Sequence, residues 1–251
     1  AIVLAVIAPG PAHAQAFATD DAVLRRIWAV GMDSSQTYPL AQALLDSVGP
    51  RLTGTPGQKA ANQWLLSKYR SWGIDAREES YGTWRGWRRG ITHVDLLQPR
   101  VRSLEAMMLA WSPGTARGAP VEAGVVVLPD TRTRAEFDAW LPQARGKFVM
   151  VSMAQPTCRP DDNWLEYVAD TAQFTRMREE RTRMQNAWND RIQRATGDST
   201  TALANRSLPF KLAAAGARGL FTHNWSRGWG VDKIFNARFG QTIPSIDLSC
   251  E

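Results

Sequence analysis

Gly49-Pro50-Arg51-Leu52-Thr53-Gly54-Thr55-Pro56-Gly57 leads into a helix signal that runs to Trp72-Gly73. Thr55 can cap that helix, Pro56 fits its first position, where no N–H is needed, and Gln58 stands where a capping box closes. Behind them Ala61, Trp64, Leu65, Tyr69 and Trp72 recur every three or four residues and form one apolar stripe, which Gly73 ends.

Upstream the same period continues. Asp21 opens a short helix carrying Val23, Leu24, Ile27 and Val30, and a second helix carries Tyr38, Ala41, Leu44, Leu45 and Val48 until Gly49-Pro50 stops it. Both need a partner surface. Further back, Ile2 to Ile7 are nearly all apolar, Pro9 and Pro11 break the run, and Ala12-His13-Ala14 has the small-x-small form that signal peptidase cuts. Residues 1–14 are therefore expected to be part of a signal peptide, with cleavage before Gln15 and a secreted or periplasmic mature chain. In that compartment Cys158 and Cys250 can pair, closing a loop whose bridge would add about 4 kcal/mol. Two unpaired thiols are the other reading.

Downstream, residues 75–84 and 88–98 alternate as a hairpin would, and residues 104–111 are a further strand candidate. The breakers in residues 112–120 predict a domain junction, with 15–118 on one side and 119–247 on the other. Past it come short β and α pieces: a buried strand at 124–128, a Thr133-x-x-Glu136 capping box with a helix over 135–141, and a buried strand at 147–153. A helix from Pro209 to Ala215, a stop at Gly216, a strand at 219–222 and a last strand at 243–248 complete an α/β module. Between its halves, residues 161–194 are highly charged yet keep Trp164, Val168, Met177, Met184, Trp188 and Ile192 at roughly helical spacing. They predict a helical insertion with a narrow buried face, hung outside the core as a lid or homodimer contact.

Composition narrows the chemistry. Of 251 residues, 44% are hydrophobic and 22% charged, which is a folded globular balance, and no apolar stretch reaches the length of a membrane span. Three His and two Cys exclude zinc fingers and iron-sulfur clusters. The net charge of +6 comes from arginine spread along the chain, so it predicts solubility and no nucleic-acid partner. His93-Val94-Asp95 would aim two side chains to one face of a strand, where they could meet a divalent metal, but two ligands make no site. The other histidine of the mature chain, His223, lies in the other module. No Gly-x-Ser-x-Gly elbow, no cysteine beside an identifiable base and no glycine-rich phosphate loop occurs. Trp84, Trp87, Trp111, Trp225 and Trp229 fall near loops or strand ends, where they can line a pocket or simply pack.

The 49–57 segment with its helix ending at Trp72-Gly73 resembles the start of metallopeptidase family twenty-eight, especially its carboxypeptidase Q-like members. Ala144-Arg145-Gly146-Lys147-Phe148-Val149, Ala214-Ala215-Gly216-Ala217-Arg218-Gly219 and Ile243-Pro244-Ser245-Ile246 resemble segments of the protease-associated domain that interrupts the peptidase domain in that family. The resemblance implies an α/β fold in which the start of a zinc-exopeptidase domain, 15–118, is followed by an inserted protease-associated module, 119–247, carrying the helical insertion 161–194. Residues 248–251 then return to the peptidase domain.

The same resemblance implies a secreted zinc-dependent exopeptidase, of aminopeptidase or carboxypeptidase type, acting on peptides with two zinc ions. The family's ligands follow the inserted module, whereas His93-Val94-Asp95 precedes it, so the ligand role is not carried over. No catalytic or metal-binding residue is assigned in this chain, and no substrate-binding residue is identified. The catalytic ligands are expected beyond Glu251, and these residues alone are expected to be inactive. The alternative is a non-catalytic protease-associated module that binds peptides or partner proteins.

Overall fold

A computed structural model describes residues 18–83, 85–167, 170–223, 237–238 and 240–250. The signal segment 1–14, Trp84, Val168, Trp225 and Trp229 lie outside the described residues. The chain divides into two compact units, Ala1–Gly86 and Trp87–Glu251.

The first unit holds the expected helices. In α1 (Ala22–Asp33) the Asp21 carboxylate accepts from the N–H groups of Val23 and Leu24. The second helix, α2 (Thr37–Gln42), runs on as a wider π-helical turn over Ala43–Val48 and stops at Gly49. For α3 (Pro56–Ser71), Thr55 Oγ1 accepts the Gln58 N–H at 3.3 Å. Gln58 returns the bond one residue further back than a capping box does, its Oε1 accepting from the Gly54 N–H at 2.6 Å. Gly57 has a steric reason to be glycine, because a Cβ there would lie 2.0 Å from the Pro50 carbonyl oxygen. Among the described residues of this unit none is buried, and Val23 and Ile27 are 66% and 62% exposed. The apolar stripes are formed but uncovered within the unit.

The hairpin expected over 75–98 is corrected. No strand forms among described residues 75–83, where charged side chains such as Arg77 and Glu79 pair in solvent at 2.6 Å and leave no apolar face to bury. The hairpin lies later, in the second unit: β1 (Val94–Leu96) pairs antiparallel with β2 (Arg102–Leu104), Val94 opposite Leu104.

The main sheet of the second unit has the order β3-β7-β6-β5-β4. Its strands are β3 (Ala106–Met108), β4 (Val125–Val127), β5 (Phe148–Met150), β6 (Gly219–Thr222) and β7 (Ser245–Leu248). From β4 to β7 neighbours are parallel, and β3 runs antiparallel to β7 with Ala106 opposite Leu248. The connections from β4 to β5 and from β5 to β6 step the same way across the sheet, so right-handed crossovers put their helices on one face. These helices are α4 (Arg134–Trp140), α5 (Asp161–Tyr167), α6 (Thr171–Thr196) and α7 (Thr201–Ala214). The main core joins Phe137, Trp188, Ile192, Leu208 and Leu212 from the helices to Val149 and Leu220 from the sheet. On the opposite face Phe148 and Phe221 stack at 4.8 Å and pack with Ile246, Ala106, Met108 and Val94. The mixed α/β fold expected from sequence is the one observed.

Three local expectations change. The strand read as buried at 124–128 is an edge strand: Val126 packs on the core and Leu128, just past the strand, is buried in it, while Val125 and Val127 are 48% and 54% exposed. The helix expected to begin at Pro209 begins at Thr201, capped by Thr200, and contains the proline. Pro209 has no N–H for the Asn205 carbonyl, and that oxygen instead accepts from Arg238 Nε at 3.3 Å. The third change concerns residues 161–194. Residues 161–167 and 171–194 are helical, but α6 is not hung outside the core: Trp188, Ile192 and Ala195 are buried in it, and Trp188 Nε1 donates to the Val151 carbonyl at 3.1 Å. The narrow stripe reaches the core because its apolar residues concentrate in the last three turns, whereas residues 175–183 are mostly exposed.

Two arginines of that buried half also reach across to the sheet side. Arg194 and Arg191 reach Asp130, in the loop after β4, at 2.9 and 3.4 Å, and Arg191 lies over the Trp188 ring at 4.5 Å. The hydrogen bond from Arg194, then the charge of Arg191, hold the Asp130 carboxyl below the usual carboxylate range. A carboxyl lowered in the folded state stabilises fully above its unfolded value, about 3.9, and loses that contribution as pH falls through the lower folded value. Asp130→Asn is therefore expected to lower the denaturation midpoint at pH 7 and to match the wild type near pH 2. An equal gap at both pH values would assign the effect to packing instead of charge.

Candidate functional site

His93 and Asp95 do come together. His93 Nε2 lies 2.9 Å from Asp95 Oδ2, and Ser103 Oγ, on the neighbouring strand, donates to Asp95 Oδ1 at 2.7 Å. The Ser103 hydroxyl first, and His93 after it, hold the Asp95 carboxyl below its ordinary range. Both carboxylate oxygens are thus engaged, on a pair that faces solvent. Among the described residues no third His, Cys, Asp or Glu joins the pair.

His223 is held elsewhere, at the end of β6. Its Nδ1 lies 2.8 Å from the Leu248 carbonyl oxygen, and because a carbonyl only accepts, Nδ1 carries the proton. Its backbone N–H donates to Ser152 Oγ at 2.9 Å, joining the ends of β5 and β6. Nε2 is buried with no hydrogen-bond partner among the described residues. Among the described residues no group of three or more His, Cys, Asp or Glu is placed to hold a metal ion. The described side chains do not fit a zinc site.

Cys158 and Cys250 form a disulfide with Cα atoms 5.3 Å apart, tying the loop after β5 to the end of β7. Of the tryptophans read as pocket candidates, Trp87 and Trp111 meet with ring centroids 6.2 Å apart, and Trp87 Nε1 donates to the Ser112 carbonyl. Their role is packing around the end of β3.

One concave feature of the second unit lies on the helix-covered face of the sheet. It is a cavity of about 510 Å³, within the range of small-molecule sites. Trp188, Leu208 and Leu220 supply apolar lining, while Ser152, Asn189, Asn205 and Arg238 supply polar groups. These residues come from strand ends, from two helices and from a loop. Nothing in the sequence linked them, since none forms a motif with another, although the tryptophan at 188 was visible as part of the α6 stripe. No helix among the described residues is long and apolar enough to cross a membrane.

No protein-family model and no curated protein matches the sequence. Among solved structures, a peptidase M28 precursor from Shewanella amazonensis SB2B is similar with a TM-score of 0.54 at 20% identity, over 91% of this chain and 44% of that one. A zinc aminopeptidase from Bacillus subtilis is similar with a TM-score of 0.39 at 14% identity, over 84% of this chain and 37% of that one, too distant to carry an argument. The first likeness establishes a shared fold. This chain spans less than half the length of both neighbours.

Proposed function

We propose that the chain is the front part of a secreted or periplasmic zinc-dependent exopeptidase of the M28 type, acting on peptides, with its catalytic metal site supplied by residues beyond Glu251. The observation that carries this reading is the fold shared with an M28 peptidase precursor along 91% of this chain and under half of that one. The uncovered apolar stripes of α1 and α3 support it, because amphipathic helices with no buried residue are what one side of a larger domain presents. The Ala12-His13-Ala14 cleavage signal and the Cys158–Cys250 bridge support export to an oxidising compartment.

Within this reading, residues 119–247 are the inserted protease-associated module of a carboxypeptidase Q-like protein. The strand before it, β3, and the strand at its end, β7, are antiparallel neighbours, so the two ends of the module lie close together, as an insertion within a host domain needs. The exposed half of α6 is where a lid or homodimer contact would act. The second reading, a non-catalytic peptide-binding module, draws on the cavity of the second unit.

The complete reading frame and the 251-residue chain are to be purified side by side and assayed on aminoacyl-anilide and N-blocked peptide substrates, with metal analysis. The longer protein is expected to hydrolyse one substrate class, to contain zinc and to lose activity with a chelator, while the shorter chain shows neither hydrolysis nor stoichiometric zinc. A longer frame without a downstream His-x-Asp and Glu-Glu, or an inactive and zinc-free product, sinks the peptidase reading.

A further inference from the structure

We infer that the cavity of the second unit binds a small carboxylate with an apolar body, the size of an N-acylated amino acid. The inference does not rest on the peptidase reading. Its basis is the charge and polarity of the wall. Among the described lining residues there is no Asp, Glu or Lys, and the one formal charge is the guanidinium of Arg238. Arg238 is exposed and has no carboxylate partner among the described residues, and its Nε donates to the Asn205 carbonyl. That bond uses Nε; among the described residues the terminal nitrogens make no hydrogen bond, and a planar guanidinium matches a carboxylate through paired N–H bonds.

The rest of the wall suits an apolar body. Trp188, Leu208 and Leu220 are buried residues with no charge to satisfy, and the indole N–H of Trp188 is already donated to Val151. Ser152 and Asn189 can hydrogen-bond a ligand amide without demanding a charge from it. Among the described residues, one cation with neutral amides and an apolar floor favours a monoanion. A phosphate ester, carrying more charge, ordinarily calls for several cationic or backbone donors.

The test titrates the full 251-residue chain, ¹⁵N-labelled, with N-acetyl-phenylalanine and separately with N-acetyl-phenylalaninamide, following the Trp188 indole cross-peak identified from Trp188→Phe. The acid is expected to shift that peak saturably, with the amide at least ten-fold weaker. Arg238→Gln is expected to erase the difference and Arg238→Lys to keep part of it. Asn189→Trp, on the half-exposed face of α6, is expected to block both ligands. Each variant is compared only where its thermal transition matches the wild type. No shift up to 10 mM acid, equal affinity for acid and amide, or unchanged binding in Asn189→Trp overturns the inference. Displacement of the acid by inorganic phosphate at lower concentration than the acid itself also overturns it, in favour of a phosphate site.

Discussion

Replacing residues 161–194 with a short Gly/Ser linker is expected to abolish the cooperative thermal transition of the second unit. The excision removes Trp188 and Ile192, which are 8% and 3% exposed and belong to the main core. Truncating a buried Trp costs about 3–5 kcal/mol and a buried Ile about 2–5 kcal/mol. Their sum is comparable to the roughly 5–15 kcal/mol that holds a whole domain together. The loss includes the Arg191 and Arg194 contacts to Asp130 and the carbonyl bonds from those arginines to Leu128 and Thr131. Differential scanning calorimetry decides the matter, with Met177→Ala, in the outer half of α6, as the control expected to stay within about 1 kcal/mol of the wild type. A deletion variant that kept a cooperative transition within a few degrees of the original would falsify the placement of α6 in the core.

The second large effect belongs to the disulfide. Cys158 and Cys250 are 92 residues apart, so the bridge restricts a long loop of the unfolded chain. On the chain-entropy account such a loop is worth about 4–5 kcal/mol. Cys158→Ser with Cys250→Ser is expected to lower the unfolding free energy of the second unit by that amount, read from guanidinium titrations under non-reducing conditions. Reduced wild type should follow the double variant. A double variant less than about 1 kcal/mol below the oxidised wild type would mean that the loop ends are already held together by β6 and β7 in the unfolded ensemble.

The parts of the fold legible in the sequence are those governed by near neighbours. Thr55, Pro56 and Gln58 announce the start of α3, Asp21 the start of α1, and Thr133 with Glu136 the start of α4, because a cap is a bond between groups two to four residues apart. The apolar run at 219–222 could be read as a strand for a similar reason, since an uninterrupted apolar run of that length suits a strand covered on both faces. The resemblance of the 49–57 segment pointed to the fold that the Shewanella structure shares.

Tertiary structure decided the rest. Whether residues 124–128 are interior or edge depends on which strand has a second neighbour, and β4 has only β5. A proline inside α7 is tolerated because Arg238, 33 residues beyond Asn205, takes the carbonyl that Pro209 leaves unbonded. The reading of α6 as an outlying helix failed because a stripe records which residues are apolar and says nothing of whether a sheet lies against it. Here Val149 and Leu220 do. The pairing of Cys158 with Cys250, and the cavity on which Ser152, Trp188, Asn205 and Arg238 converge, likewise depend on contacts between residues far apart in the chain. Local hydrogen bonding and periodicity are carried by the chain itself, whereas long-range convergence exists only once the sheet order and the crossovers bring those residues together.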